Sequence, residues 1–441
     1  MKKTIIPVFV LAAGLLYCSG CGNKDLTDEG SGKEIVLRLE PGPNNPRNSE
    51  GDFIRLKSGR LLFVYTHFTG GTADDAAAHL ALRFSDDGGV TWSPQDQLVL
   101  ANEAVFNIMS VSLRRLPGGE IALFYLRKNA EADCVPLLRL SSDEGQSWGP
   151  ARVCVDEPGY YVMNNDRVLQ LGSGRILLPL ALHPVRDGKM FNTAQILCYC
   201  SDDNGQTFFK GGMAANPDQV VAQEPGMVEL KDGRIMLFCR TGSGVQYLSY
   251  SSDRGATWSP LQPSTITSPL SPASIERIPA TGDLLLVWNN NYQAALDGGK
   301  RTPFTLAISR DDGRSWERIK NIASDPAGWY CYTAIEWVGD DVLLGHCAGN
   351  TRITNGLATT HITRLRRDWI YAAVTPDPVV KTDSAGTVVL ACADPEARIR
   401  YTLDDSLPTA ATALFYKTPF QVSRTTPLLM QASSPGKADS K

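Results

Sequence analysis

The sequence predicts an all-β protein, made of a six-bladed β-propeller and a small C-terminal β-sandwich module. The composition is the first observation, because 39 Gly and 27 Pro in 441 residues indicate many turns and short strands. The second is a hairpin of two apolar strands around a glycine turn, which recurs at intervals of about 50–60 residues, a period typical of propeller blades. The six turns centre on Gly59, Gly119, Gly174, Gly233, Gly282 and Gly339.

A third observation is the motif Ser-x-Asp-x-Gly-x-x-Trp, which recurs five times. Its Ser and Asp side chains bond to turn amides, its Gly supplies a positive φ, and its Trp ring packs into the blade. The copies begin at Ser85, Ser141, Ser201, Ser251 and Ser309, and Phe208 replaces the Trp in the third. We therefore expect these aspartates to be structural. The motif is the Asp-box, which sialidases share with unrelated propellers, so it supports a fold more than a function.

The repeats place the propeller at about residues 34–372. The sixth repeat lacks an Asp-box, and we expect the strand at residues 34–39 to complete this blade and close the ring. Loops from all blades converge on one axial face of a propeller. We therefore expect a functional site assembled from segments that are distant in the sequence.

The N-terminal segment is predicted to lie outside the fold. Lys2 and Lys3 precede an apolar run over residues 5–17, which is shorter than the roughly 20 residues that span a bilayer. Small residues then precede Cys21, and this pattern resembles a bacterial lipoprotein signal with Cys21 lipidated; an ordinary secretory signal is the alternative. Both interpretations predict export, and the first predicts a lipoprotein on a cell-envelope membrane, tethered by polar residues 22–33.

The charge and the metal-ligand patterns exclude several function classes. Lys and Arg number 43 against 47 Asp and Glu, a net charge of -4, which argues against an electrostatic nucleic-acid binder. The five His are scattered, and Cys198 and Cys200 form neither a CxxC motif nor a metal-ligand pair. Most other cysteines stand in apolar strand patterns, where a thiol is a small hydrophobe. We expect no metal and no cofactor.

Residues 376–441 differ in character from the repeats. A linker-like stretch over residues 373–378 stands at their start, and the motif Tyr-Thr-Leu-Asp-x-Ser-x-Pro-Thr occupies residues 401–409. This segment resembles the small β-sandwich module at the C-termini of chitobiases and other bacterial glycosidases. The resemblance implies an accessory domain and assigns it no chemistry.

Five Asp-boxes together with six predicted blades resemble the sialidase superfamily, whose chemistry requires specific residues. Sialidases cleave a sugar whose anomeric carbon bears a carboxylate, which arginines bind by bidentate pairing. Because that carboxylate would repel a carboxylate nucleophile, the family uses a Tyr activated by a Glu. An Asp serves as acid and base and needs a raised pKa.

Three later repeats contain residues that match this family pattern. Glu224 opens the inner strand of the fourth repeat and Arg240 ends its next strand, similar to the Tyr-activating Glu and the second arginine of the family's triad. Arg301 precedes the last Asp-box, as the third arginine does. Tyr332 stands in a segment resembling the one that holds the nucleophile, with Tyr330 two residues away on the same predicted strand face.

The first repeat matches less closely. The loop before the first Asp-box contains Asp74 and Asp75, and the resemblance favours Asp75 as acid and base, with Asp74 as the alternative or as a substrate contact. Arg47 stands two residues before the position expected for the first arginine, a shift that keeps the same strand face. Glu50 and Asp52 add negative charge where an anionic sugar would bind.

Polar residues also open the second and third repeats. Asn165 and Arg167 stand at the start of the third, and Asn107 and Ser110 at the start of the second. One interpretation is hydrogen bonding within loops. The other is contact with substrate hydroxyls, with Arg167 replacing Arg47 as a cation if Arg47 does not serve.

The sequence therefore predicts an exo-α-sialidase-like retaining glycoside hydrolase that acts as a monomer on terminal sialic acid of glycoconjugates. One alternative is a glycosidase acting on another acidic sugar, such as a uronic or ketodeoxy acid, which the unusual Arg47 segment motivates. Another is a glycan-binding propeller without catalysis. Tyr332 with Glu224 disfavours it, because binding alone needs no activated phenol.

Overall fold

The structure is a computed structural model. It describes residues 32–187, 189–291, 299–404, 406–408, 412–423, 425–434 and 437–440. Cys21 and most of the predicted tether lie outside the described residues. In the described part of the chain no helix has the length and apolar character needed to cross a membrane.

The first three blades follow one another along the chain, and parallel bridges join them into one sheet. Blade 1 consists of β2 (Arg47–Arg55), β3 (Leu61–Phe68), β4 (Ala78–Ser85) and β5 (Gln97–Leu100). Blade 2 consists of β6 (Asn107–Arg115), β7 (Ile121–Ala130), β8 (Asp133–Ser141) and β9 (Arg152–Val153). Blade 3 consists of β10 (Tyr160–Val162), β11 (Leu169–Gln170), β12 (Ile176–His183), β15 (Gln195–Ser201) and β16 (Phe209–Ala214), with the hairpin of β13 (Val185–Arg186) and β14 (Lys189–Met190) before β15.

The last three blades are separate four-stranded antiparallel sheets. Blade 4 consists of β17 (Ala222–Glu229), β18 (Ile235–Thr241), β19 (Val245–Ser251) and β20 (Gln262–Thr267). Blade 5 consists of β21 (Ser274–Arg277), β22 (Leu284–Asn289), β23 (Phe304–Ser309) and β24 (Glu317–Ala323). Blade 6 consists of β25 (Gly328–Val338), β26 (Asp341–Asn350) and β27 (Thr360–Arg366), and β1 (Lys33–Leu39) pairs antiparallel with β27 to close the ring. The predicted six-bladed propeller is confirmed.

The hydrophobic core lies between neighbouring blades. Strand β22 is buried along its whole length, as a strand covered on both faces must be. Between blades 1 and 6, Phe63 and Tyr65 pack with Ala334 and Leu343. Each square ångström of apolar surface buried in this way contributes about 25 cal/mol, so the ring is stabilised by contacts between blades.

Each of the five Asp-boxes forms a tight turn at the end of one strand of its blade, namely β4, β8, β15, β19 or β23. In the first, Ser85 Oγ accepts a hydrogen bond from Gly89 N and donates one to Asp87 Oδ1, both at 2.8 Å. Asp87 Oδ1 also accepts from Thr91 N at 2.9 Å. The aspartate is thus occupied by its own turn. The turn lies at the far end of β4 from the loop that holds Asp74 and Asp75.

Four inner strands begin with a β-bulge. A non-glycine residue at each bulge adopts the left-handed conformation, with φ of 57° at Glu50, 61° at Ser110, 48° at Glu224 and 55° at Tyr332. A bulge re-aims a side chain. The first strands of neighbouring blades also contact one another around the axis, so the four bulges bring side chains together there.

Helix α1 (Arg367–Tyr371) ends the propeller, and a small two-sheet module follows. One sheet contains β28 (Val379–Thr382), β29 (Thr387–Ala391) and β32 (Phe420–Gln421); the other contains β30 (Arg398–Thr402), β31 (Leu414–Phe415) and β33 (Leu429–Ser433). Buried residues including Leu390, Ile399 and Ala432 form its core. This is the predicted C-terminal β module.

Candidate active site

The centre of the candidate site is a tyrosine paired with a glutamate from another blade. Tyr332 Oη donates to Glu224 Oε1 at 3.3 Å, which joins blade 6 to blade 4. Glu224 is buried and Tyr332 is half-buried. Both stand at bulges, so the left-handed backbone turns both side chains toward the axis. The structure thus brings together the two residues that the sequence predicts as nucleophile and activating base.

The surroundings of Tyr332 keep its phenol protonated until a base acts. Burial raises the pKa of Tyr332 far above its usual value, and the negative charge of Glu224 raises it further. Arg301 and Arg240 act in the opposite direction. A phenol hydrogen-bonded to a carboxylate can lose its proton to that carboxylate as it attacks, so the pair fits nucleophilic catalysis assisted by a general base.

Two arginines surround this pair and keep free donors. Arg240 Nε lies 3.0 Å from Glu224 Oε2, and Arg240 Nη2 donates to Gln223 Oε1. The guanidinium carbon of Arg301 lies 5.3 Å from the centre of the Tyr332 ring. Arg240 Nη1 and both Nε and Nη1 of Arg301 are buried and have no hydrogen-bond partner among the described residues. Such donors suit an anionic ligand, since a buried charged donor left unpaired is costly.

Arg47 has a different environment from these two arginines. Its side chain is 1% exposed and donates from Nη1 to Asp74 Oδ1 at 2.5 Å and from Nη2 to Glu50 Oε1 at 2.8 Å. Its Nε donates to Ser49 Oγ at 3.0 Å, and Nη1 also donates to the Thr72 carbonyl at 3.1 Å. The structure therefore places Arg47 at the site with two carboxylates already bound to it.

The two candidate acids stand side by side on the loop between β3 and β4. The Asp74 side chain is 64% exposed. Although partial burial alone would raise the pKa of Asp74, the Arg47 guanidinium lowers it below the usual value. Asp75 is exposed. Of these two aspartates, Asp74 is the one whose carboxylate binds Arg47.

The third-blade residues predicted as substrate contacts make bonds within the protein. Asn165 Nδ2 donates to the carbonyls of Gly51 at 2.7 Å and Tyr332 at 2.9 Å. Arg167 is buried and donates to the Ala273 carbonyl at 2.7 Å and to Ser274 Oγ at 3.3 Å. Asn165 therefore holds the backbone of the candidate nucleophile, and Arg167 ties blade 3 to blade 5.

Sequence reasoning missed the roles of Glu50 and Ser110. Glu50 is buried, bonds to Arg47, and accepts a short hydrogen bond from Ser110 Oγ. Burial raises the pKa of Glu50, and Arg47 opposes that shift. Glu50 and Glu224 stand the same number of residues before their turn glycines, Gly59 and Gly233. That equal spacing is the signal that marks Glu50 as a second axial carboxylate.

The described residues contain no group of three or more His, Cys, Asp or Glu side chains that fits a metal ion. Tyr332 paired with Glu224 supplies groups for acid–base and nucleophilic chemistry, and the donors of Arg240 and Arg301 beside them suit an anionic group.

Three family models match the chain. The model described as BNR repeat-like domain matches residues 100–344, and the model of the BNR/Asp-box repeat matches residues 83–94. The chitobiase/beta-hexosaminidase C-terminal domain matches residues 380–441. No curated protein sequence matches the chain.

Solved structures with the same fold include sialidases. The intramolecular trans-sialidase from Ruminococcus gnavus, in complex with oseltamivir carboxylate, has a TM-score of 0.60 and 15% identity over 78% of this chain and 98% of its own. The NanB sialidase from Streptococcus pneumoniae has a TM-score of 0.57 and 16% identity over 76% and 70%. A protein of unknown function from Dyadobacter fermentans has a TM-score of 0.62 and 17% identity over 76% and 100%. At these identities the likeness is one of fold.

Proposed function

Because this chain belongs to the BNR repeat-like domain family, we propose that it is an exo-α-sialidase-like retaining glycoside hydrolase that releases terminal sialic acid from glycoconjugates. One observation carries the proposal: the Tyr332 hydroxyl lies 3.3 Å from the Glu224 carboxylate, with the free donors of Arg240 and Arg301 beside them. The fold shared with enzymes named sialidases supports it.

The substrate carboxylate is bound by arginine. Arg240 Nη1 and the Nε and Nη1 atoms of Arg301 offer donors to its two oxygens, and charge-assisted bonds of this kind are about twice as strong as neutral ones. A carboxylate nucleophile would face repulsion from this same group. A phenol is neutral before attack, and Tyr332 therefore suits an anionic sugar.

The first chemical step forms a covalent sugar–tyrosine bond. Tyr332 Oη attacks the anomeric carbon, Glu224 takes the phenol proton, and the glycosidic bond breaks with its electron pair on the leaving oxygen. Asp75 donates a proton to that oxygen. In the second step Asp75 removes a proton from water, the water oxygen attacks the anomeric carbon, and Tyr332 leaves and regains its proton from Glu224. Two displacements retain the anomeric configuration.

A second candidate function is hydrolysis of another acidic sugar on the same scaffold. The observation that favours it is the pair of carboxylates, Glu50 and Asp74, that already bind Arg47. With Arg47 occupied, the cationic contacts of the substrate are those of Arg240 and Arg301. Contacts to the rest of the sugar then determine whether the substrate is sialic acid, a ketodeoxy acid or a uronic acid.

The place of action belongs to the same proposal. We propose that the protein is exported and anchored through Cys21 to a bacterial cell-envelope membrane, on the pattern of a short apolar run followed by small residues and a cysteine. Glycoconjugates outside the cytoplasm are then its substrates.

Turnover of fluorogenic glycosides tests the function. We expect the wild type to hydrolyse a 4-methylumbelliferyl α-sialoside and Tyr332→Phe to lose at least about 10²-fold in kcat, since covalent catalysis is removed. Tyr330→Phe is the matched control, because Tyr330 is buried against Phe304 and His346, and we expect it to keep its activity. Hydrolysis of a ketodeoxynonulosonide or a β-glucuronide instead of the sialoside would favour the second candidate. Equal loss in both tyrosine variants would contradict the proposal.

A further inference from the structure

We propose that Arg47 is a positioning residue that fastens the loop of the catalytic acid, rather than an arginine that binds the substrate carboxylate. The acid loop is defined here as residues 69–77, between β3 and β4. The inference rests on the proposed function, because it assigns a role within the same site. It also divides the two neighbouring aspartates: Asp74 is the fastening residue and Asp75 is the acid.

The hydrogen bonds of Arg47 within the protein leave few of its N–H donors for a ligand. A guanidinium has five N–H groups, and Arg47 uses four of them on Ser49, Glu50, Thr72 and Asp74. The side chain also lies over the Phe68 ring, 4.3 Å from its centre, and is 1% exposed. A substrate carboxylate would have to displace a protein carboxylate to reach it.

The contrast with the other two arginines is direct. Arg240 and Arg301 each keep two buried nitrogens without a hydrogen-bond partner among the described residues, although Arg240 Nε lies 3.0 Å from Glu224 Oε2 as an ion pair. Every side-chain nitrogen of Arg47 has a hydrogen-bond partner among the described residues. Among these three arginines, the unsatisfied donors thus belong to blades 4 and 5, and those of Arg47 in blade 1 are used within the protein.

The partners of Arg47 on the acid loop show what these bonds hold. Two of its four bonds go to the loop, at the Thr72 carbonyl and the Asp74 carboxylate. From the neighbouring blade, Asn107 Nδ2 donates to the carbonyls of Asp74 and Ala76, both at 2.8 Å. The loop is therefore held from blades 1 and 2. Arg47 forms an ion pair with its Asp74 carboxylate, and Lys128 Nζ of blade 2 donates to the Asp74 carbonyl at 3.5 Å.

The charges around Asp74 explain the division of roles. Arg47, Lys128 and Arg301 act on its carboxylate with positive charge, and Glu50 binds the other terminal nitrogen of Arg47. Burial acts in the opposite direction, but these charges lower the pKa of Asp74, which disfavours Asp74 as the proton donor. Asp75, the next residue, is exposed and is held in place by the fastened loop.

Leaving-group dependence distinguishes a fastened acid from a carboxylate-binding arginine. An aryl glycoside with a good leaving group needs little protonation, whereas an alkyl or sugar leaving group needs the acid. We therefore expect Asp74→Ala and Arg47→Lys to lose at least about tenfold more kcat/KM on a sialyl-lactoside than on the 4-methylumbelliferyl sialoside. Arg240→Lys, the control, should lose equally on both. If Asp74→Ala and Arg47→Lys each lose the same factor of kcat/KM on the sialyl-lactoside and on the 4-methylumbelliferyl sialoside, the inference is overturned.

A second readout needs no turnover. Hydrogen exchange of the amides in residues 69–77 should become about tenfold faster in Asp74→Ala and in Arg47→Lys, and should not change in Arg240→Lys. Asp74 is exposed, so its replacement leaves the core intact even if the buried Arg47 variant folds poorly. Unchanged exchange in Asp74→Ala would overturn the fastening role. If the variants exchange as expected but the wild type cleaves no sialoside, the proposed substrate is contradicted and the fastening role still holds.

Discussion

Tyr332 and Glu224 both adopt left-handed backbone conformations, with φ of 55° and 48°. Such conformations cost about 1–3 kcal/mol each for non-glycine residues and persist only where the surrounding structure enforces them. The bulges of β25 and β17 enforce these conformations. They bring a phenol from blade 6 and a carboxylate from blade 4 within hydrogen-bond distance. The backbone strain is thus located at the two residues that the proposed reaction uses.

Replacement of Glu224 tests the residue that receives the proton. Glu224→Gln keeps the size of the side chain and its hydrogen bond to Tyr332, but an amide does not accept the phenol proton. We expect kcat to fall by roughly 10²–10⁴-fold, the usual contribution of a general base, with a smaller change in KM. Steady-state kinetics of the wild type and Glu224→Gln on the aryl sialoside measure this. A variant that keeps more than half of the wild-type kcat would exclude Glu224 as the base.

At the scale of strands and turns, the prediction from sequence succeeds where the signals are local. The glycine turns and Asp-boxes are fixed by residues within one hairpin, so the six blades could be predicted, and β1 was correctly expected to complete the last one. The bulges could not be predicted, because they depend on pairing across the blade. The contact of Arg47 with Asp74 could not be predicted either. The two residues come close only after β2 and β3 have paired, and no local sequence pattern indicates that contact.

At the scale of the whole ring, a second group of charges lies on the axis. A cavity of about 490 Å³ is lined by residues of several inner strands, among them Arg114, Asp166 and Glu276. Arg114 donates to Asp52 at 3.3 Å and to Asp166 at 2.7 Å. Burial raises the pKa of Glu276 well above its usual value, and the charge of Asp166 adds to the effect. This cluster therefore couples the stability of the ring to pH.

The sign of this coupling is a prediction. Since the folded state raises the pKa of Glu276, its contribution to stability is complete below the unfolded value of about 4.3 and is lost as the pH rises through the folded value. Glu276→Gln places a neutral amide at this position, so folding stability no longer falls at high pH through ionisation of this buried carboxyl. We expect the variant to melt at a higher temperature than the wild type at pH 8 and the difference to shrink toward pH 4.5. A lower melting temperature of Glu276→Gln at pH 8 would contradict this account.

The central claim is that the whole ring serves to present Tyr332 as a nucleophile, and covalent trapping tests it most directly. A 2,3-difluoro sialic acid has a good leaving group and a fluorine that slows breakdown of the glycosyl intermediate, so the sugar accumulates on the attacking residue. We expect one adduct on the peptide that contains Tyr332, found by mass spectrometry of the digested wild type, and none in Tyr332→Phe. An adduct on Asp75 or Glu224, or equal labelling of Tyr332→Phe, would contradict the account.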